Sequence, residues 1–407
     1  MPGGEALSMA LAALAIMLVT ARVGGEVATR LRQPAVLGEL GAGVLLGSLP
    51  LVGVADFAWL SDDPFVALLA ELGVVLLLFS VGLESTLGQM ARVGRSAAAV
   101  ALVGVIAPLG LGFAVGMLFE RDVYVCLFLG AILTATSVGI TARVLRDLGA
   151  IDTPEARVIL GAAVIDDVLG LGLLAVVTAV IAAAEVGGSV HLASVLAIGG
   201  RAVAFLAGAV LVGVYVVPRV LARLATMRGT GVMLGFTLAF CFAMAWLAMR
   251  AGLAPIVGAF AAGLVLEAAH YQPFAAREPR QVEDLVEPIV HMLAPVFFVR
   301  VGLEVDLGQL ASPPVLGLGL ALTAAAVLGK AVSMAGVLDR SIRRVAVGVG
   351  MIPRGEVGLV FAATGAGLLY RGRPLIDAPT FSAVVLMVMV TTAITPALLG
   401  WAMRRAR

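Results

Sequence analysis

Apolar runs of about twenty residues recur along this chain from one end to the other. That is the length a helix needs to cross the hydrocarbon core of a bilayer. Of 407 residues, 61% are hydrophobic and 13% are charged, whereas soluble domains hold ~45–50% apolar and ~25% charged residues. Backbone polar groups in lipid must be satisfied internally, which leaves helices or closed barrels, and runs this long are helical. The chain therefore reads as an all-α polytopic membrane protein. Its apolar content excludes a disordered chain, two cysteines exclude a disulfide scaffold, and a net charge of +1 excludes a nucleic-acid binder. The first apolar run continues past Leu18 with no small-residue cleavage pattern, so it reads as a span and not as a cleaved signal.

Thirteen transmembrane helices are expected, at about 6–26, 35–53, 65–83, 96–118, 124–145, 157–184, 191–218, 231–249, 253–268, 284–303, 314–337, 344–367 and 380–402. An odd number puts the termini on opposite sides. With the C-terminus cytoplasmic and the N-terminus outside, the inner connections collect most of the arginines, at Arg30–Arg32, Arg92–Arg95, Arg143–Arg146, Arg219–Arg228, Arg277–Arg280, Arg340–Arg344 and Arg404–Arg407. The outer connections hold Arg121, Arg250, Arg371 and Arg373 among the acidic residues Asp56, Asp62, Asp63, Asp122 and Asp377. This bias follows the positive-inside rule, and the expected location is the inner (plasma) membrane.

Thirteen spans divide as six, one linker and six, and an odd offset inverts the halves in the membrane. Both halves carry an interrupted helix second from last. Span 5 holds Thr134-Ala-Thr136-Ser137-Val-Gly139 at its middle, and span 12 holds Gly350-Met-Ile-Pro353-Arg354-Gly355-Glu356-Val-Gly358. Paired interruptions of this kind point to a transporter's binding site. The longest polar connection is about His270–Asp284, and no nucleotide-binding domain is expected after span 13.

Asp166 and Asp167 lie about ten residues from Arg157, ~15 Å deep at ~1.5 Å per residue. A charge at that depth costs at least ~2.5–3.5 kcal/mol on insertion scales. The pair therefore requires a cavity, a cation or a proton, unless a hidden helix end brings both to the surface. Helix neighbours point ~100° apart, so each can serve a different partner. Lys330 is the one lysine among 27 basic residues. It either snorkels to the interface or pairs with a carboxylate of the other half. Lysine can release its proton in a buried site where arginine cannot, so a lone deep lysine marks a titratable cation. Arg354 and Glu356 either neutralise half-helix ends and pair with other buried charges, or ligate an ion directly. Thr136 and Ser137 offer hydroxyls and freed carbonyls, although such hydroxyls often bond their own helix.

Other residues carry less. Glu39 and Glu71 read as interfacial, Arg300 as snorkelling, His270 and His291 as a loop and a packed histidine, and Cys126 and Cys241 as packing. Gly43 and Gly47 form a small-xxx-small pair suited to close helix contact.

Four strings, Ala135–Leu145, Ile159–Gly170, Leu253–Phe260 and Pro353–Gly358, resemble the monovalent cation:proton antiporter-2 family, most closely its NapA-type sodium/proton antiporters. The resemblance spans nearly the whole chain. It implies a 13-helix homodimer with NhaA-like inverted repeats. A dimerisation domain would cover about 1–90 and 231–310, a linker helix 191–218, and a mobile core 96–185 and 313–402, with spans 5 and 12 crossing at their unwound centres. By the same resemblance, Asp167 is the cation- and proton-binding carboxylate, and Asp166 is the partner of the core lysine, Lys330. Kef-type potassium relatives usually lack the first carboxylate and carry a nucleotide-binding domain, so the resemblance implies the sodium-type, electrogenic branch. Arg300, after Phe297-Phe298-Val299, departs from the apolar or small residue expected there.

The expected function is exchange of sodium or lithium for protons by alternating access, serving pH homeostasis, with no cofactor. Hard cations prefer oxygen ligands, here Asp167, Asp166, Thr136 and Ser137 with water. Sodium would displace a proton from Asp167 and break the Asp166–Lys330 pair, releasing a second proton. The runner-up is potassium/proton exchange. A channel would need a pore-loop filter, which is missing. An intramembrane aspartyl protease would need carboxylates from separate elements.

Overall fold

The computed structural model describes residues 2–52, 57, 59–84, 94–185, 200–201, 204–205, 207–224, 231–266 and 282–404. His270, Asp56, Arg92, Arg228, Arg277, Arg280, Arg405 and Arg407 lie outside these residues, as do most of the polar connection near 270–284, the start of the 191–218 span and the end of the 253–268 span.

The helices are α1 (Pro2–Arg30), α2 (Ala35–Ser48), α3 (Pro64–Glu84), α4 (Arg95–Leu118), α5 (Val123–Thr134), α6 (Val138–Asp147), α7 (Pro154–Glu185), α8 (Val217–Leu224), α9 (Val232–Arg250), α10 (Pro255–Val265), α11 (Val282–Leu303), α12 (Pro313–Ala331), α13 (Arg344–Gly350), α14 (Glu356–Gly367) and α15 (Ala378–Arg404). Among the described residues, nine stretches are long and apolar enough to cross a membrane, and α2, α10 and α14 are shorter apolar helices. Pro50 explains the early end of α2, since the chain tightens into a 3-10 turn at Leu49–Val52. Pro255 begins α10 at a position where its missing N–H costs nothing.

Among the described residues, one β-hairpin interrupts the helices. A two-residue hairpin, β1 (Leu369–Tyr370) with β2 (Arg373–Pro374), follows α14. Its turn residues Arg371 and Gly372 both have positive φ, 53° and 71°, as a tight type I′ turn demands. Their N–H groups donate to the Glu185 carboxylate at the end of α7.

The helices sort by packing into two groups. In the first, α1, α2, α3, α9, α10 and α11 lie on one another, and in the second, α4 to α7 and α12 to α15 do. The stronger contacts between groups run from α2 to α15 and from α7 to α10. Glycine sets the spacing inside the first group. A Cβ added at Gly43 would lie 2.2 Å from the Val299 carbonyl oxygen, and one at Gly302 would lie 2.3 Å from that of Leu40. The backbones of α2 and α11 therefore touch, which is the close contact the Gly43–Gly47 spacing predicts. Outward-facing apolar residues such as Leu11, Val19, Leu102, Ile106 and Leu320 are more than half exposed. Exposed apolar surface of this kind is what a multi-pass membrane protein presents within the bilayer.

Candidate ion-binding site

Both interruptions form. The first helix stops at Thr134 and resumes at Val138 after an extended Ala135–Ser137. The second stops at Gly350 and resumes at Glu356. Pro353 has no N–H to give and disfavours a helical Ile352, which fixes this break. The two breaks cross in contact. Ser137 N donates to the Pro353 carbonyl at 2.9 Å, and the Thr141 hydroxyl donates to the Gly350 carbonyl at 2.7 Å. A freed carbonyl of one break is thereby matched to a donor of the other.

The charges of the second break serve this crossing. Arg354 is fully buried. Its guanidinium donates to the Ala135 carbonyl, just past the end of α5, and to the Ala326 carbonyl of α12 at 3.3 Å. A cation there offsets the negative end of the half-helix. Glu356 accepts from the Ser137 hydroxyl at 3.0 and 3.2 Å, which sets a carboxylate at the positive start of α6. Gly355 allows the approach, because a Cβ there would sit 2.6 Å from Ser137 Oγ and 2.7 Å from its Cβ. Gly355→Ala should force the breaks apart and cost about 1–3 kcal/mol. A melting temperature equal to wild type would contradict the contact.

α7 carries the aspartates through this crossing, and their ~100° separation sends them to different partners. Asp166 faces α12, where Lys330 Nζ lies 2.8 and 2.9 Å from its two oxygens. Both side chains are fully buried, so Lys330 does not snorkel. Gly104 of α4 packs beside it. Asp167, 5% exposed, lines a cavity of about 450 Å³ between the two helix groups.

Thr136, Gly139 and Glu356 share the core-side wall with Asp167, while the facing wall is built from α2, α3 and α11. That wall includes Glu39, Ser80, Glu283, Glu287 and His291. The cavity thus lies toward the end of the bundle where α2 and α11 begin. Of the residues the sequence marked, Asp167, Thr136 and Glu356 meet on the cavity. Asp166 is engaged by Lys330, Ser137 by Glu356, and Arg354 by backbone carbonyls.

Two readings change. Glu39 is not interfacial, since it is buried in the cavity wall. His291 is not packed, since its side chain is 62% exposed and lies 3.7 Å from Glu287. Arg300, read as snorkelling, reaches Glu304 at 3.3 Å, one turn further toward the end of α11, which does not alter that reading. Glu283 and Glu287 of α11 go unmarked in the sequence because they lie near a helix start, where an interfacial position is the default.

The sequence profile of the family described as the transmembrane sodium/hydrogen exchanger matches residues 14–405. The chain belongs to the sodium/hydrogen exchanger family. The likeness read from its motifs holds at that level, and membership places it with transporters and not with an enzyme class. This exchanger is 35% identical to the high-affinity Na(+)/H(+) antiporter NhaS3 of Synechocystis, over 96% of its own length and 89% of the relative's. It is 34% identical to the Na(+)/H(+)-K(+) antiporter GerN of Bacillus cereus, over 95% of each chain. Among solved structures, the sodium proton antiporter MjNhaP1 of Methanocaldococcus jannaschii aligns with a TM-score of 0.76 at 17% identity, covering 98% of this chain and 99% of that one. That similarity shows a shared fold.

Proposed function

We propose that this exchanger moves sodium, and lithium with it, against protons by alternating access, with Asp167 as the carboxylate that holds either the cation or the proton. One observation carries the reading. Asp167 stands with Thr136 on a cavity between two helix groups, while its neighbour Asp166 is paired with Lys330 behind it. The names of NhaS3 and GerN support cation/proton exchange. GerN's name also keeps potassium as the second reading.

Charge bookkeeping supports a coupled cycle. Asp166, Asp167 and Glu356 set against Lys330 and Arg354 leave one negative charge at the crossing, which one monovalent cation neutralises. If sodium binding also draws Asp166 away from Lys330 and the lysine releases its proton, two protons leave per sodium, and the sodium-loaded and proton-loaded cores differ by one charge. Exchange is then electrogenic. The titration belongs to the coupled groups, not to one residue. Oxygen donors suit a hard cation, and Asp167, Thr136 and water supply them, with Ser137 and Asp166 joining if their present bonds exchange.

The architecture belongs to the same proposal. It has thirteen spans in inverted repeats, a linker across 191–218, and a homodimer formed through 1–90 and 231–310. The core of 96–185 and 313–402 rocks against that scaffold. The N-terminus lies outside and the C-terminus in the cytoplasm, so the cavity faces the cytoplasm. The two packing groups and their limited mutual contacts support a moving core.

The test is proteoliposomes with an imposed pH gradient and a pH-sensitive dye. Sodium and lithium should each collapse the gradient. Collapse by potassium alone would transfer the protein to the second reading, and no response to any of the three from folded protein would remove the exchanger reading.

A further inference from the structure

The cavity holds a second buried carboxylate, on the helix group that does not carry Asp167. Glu39 lies in the second turn of α2, is 8% exposed and lines the same cavity from the opposite wall. Among the described residues, no hydrogen bond or ion pair engages its carboxyl group. The adjoining surface of α1 is glycine, an added Cβ at Gly25 lying 3.5 Å from Oε1.

The charged neighbours do not supply a bond. Arg22 acts on Glu39 through its field, but its Nη2 donates to the His291 carbonyl at 3.1 Å. That carbonyl lacks its helical partner because the residue four positions on is Pro295, which has no N–H. Arg22 is thus committed to that carbonyl. From α11 the cavity also receives Glu283, Glu287 and His291, and from the core Asp167 and Glu356. Glu287 and His291 are about three-fifths exposed and stay solvated. Glu283 is half-buried with one carboxylate oxygen unbonded, whereas Glu39 is more than nine-tenths buried and turns an unpaired carboxyl group to the space across from Asp167. Buried carboxylates are ordinarily hydrogen-bonded or paired, so this one is built for a partner that comes and goes.

We propose that Glu39 is a second binding carboxylate for the transported monovalent cation, shared with Asp167 across the cavity and available only while the cavity is open at this end. The inference rests on the exchange and the rocking core proposed above. Asp167 travels with the core, whereas Glu39 stays with the other helix group, so the two carboxylates face one another in one conformation alone. The predicted consequence is sided. Glu39 strengthens cation capture at the face where α2 and α11 begin and contributes nothing at the other.

Everted and right-side-out vesicles from one host lacking its own exchangers present sodium to one face at a time. Glu39→Gln should raise the apparent KM for sodium about tenfold at the cavity face and change it less than twofold at the opposite face. Glu39→Asp, which keeps the charge on a shorter stem, should raise it at the same face by a smaller factor, and it serves if the glutamine variant does not fold. Equal KM changes at both faces, or none, in vesicles where wild type exchanges would overturn the inference and leave the exchange reading intact. A shifted pH profile with an unchanged sodium KM would overturn it in favour of proton sensing. Wild-type vesicles that do not exchange would instead remove the reading beneath it.

Discussion

Asp167→Asn is expected to abolish cation-coupled proton flux, lowering sodium-driven dissipation of a pH gradient by at least about a hundred-fold. The substitution keeps the shape of a side chain only 5% exposed while removing both the negative charge and the exchangeable proton. Truncating one member of a close, buried charge pair typically costs 2–5 kcal/mol, and here the lost partner is the ion itself. Ser137–Glu356 and Asp166–Lys330 do not depend on Asp167 for their bonds, so the variant should fold and melt near wild type. The measurement is gradient collapse in proteoliposomes beside a thermal melt of the same preparation. A variant that melts normally and still exchanges at more than a tenth of the wild-type rate would remove Asp167 from the ion path.

Lys330→Ala should instead act first on stability. Lys330 and Asp166 are fully buried and bonded at 2.8 Å. Removing the lysine strands a carboxylate, and breaking a buried pair in this way costs about 3–5 kcal/mol. Adding Asp166→Asn should recover most of that loss, because the stranded charge is then gone. Lys330→Arg separates charge from proton release, since arginine keeps the first and cannot perform the second. If the lysine supplies the second proton, the arginine variant exchanges without response to membrane potential. A variant that keeps wild-type stimulation by the potential would show that Lys330 is only structural.

Much of this site is legible in the sequence, because the chemistry is extreme. Asp166, Asp167 and Lys330 are conspicuous as charges deep in apolar runs. Pro353 and the glycines around it announce a break that the structure places against Ala135–Ser137. Which aspartate meets the lysine is not legible from spacing, since ~100° of helical rotation lets either one do so. The resemblance supplied that pairing, and the geometry shows Asp166 on Lys330.

Helix ends were read less well. α2 stops at Ser48 because Pro50 follows, short of the span expected over 35–53. The hairpin at Leu369–Pro374 was missed although Arg371-Gly372 carries a turn signal. Glu39 was placed at the interface because helix position alone cannot show that α11 and the core close a cavity around it. Such facts belong to tertiary contact, not to local pattern.

The claim at the centre of this account is competition of proton and cation for one carboxylate. Apparent KM for sodium, measured in proteoliposomes across a series of pH values at fixed membrane potential, tests it most directly. Competition predicts a KM that climbs about tenfold per pH unit on the acid side if one proton is displaced, and more steeply if Lys330 contributes a second. A sodium KM that stays flat with pH while only the maximal rate changes would contradict it.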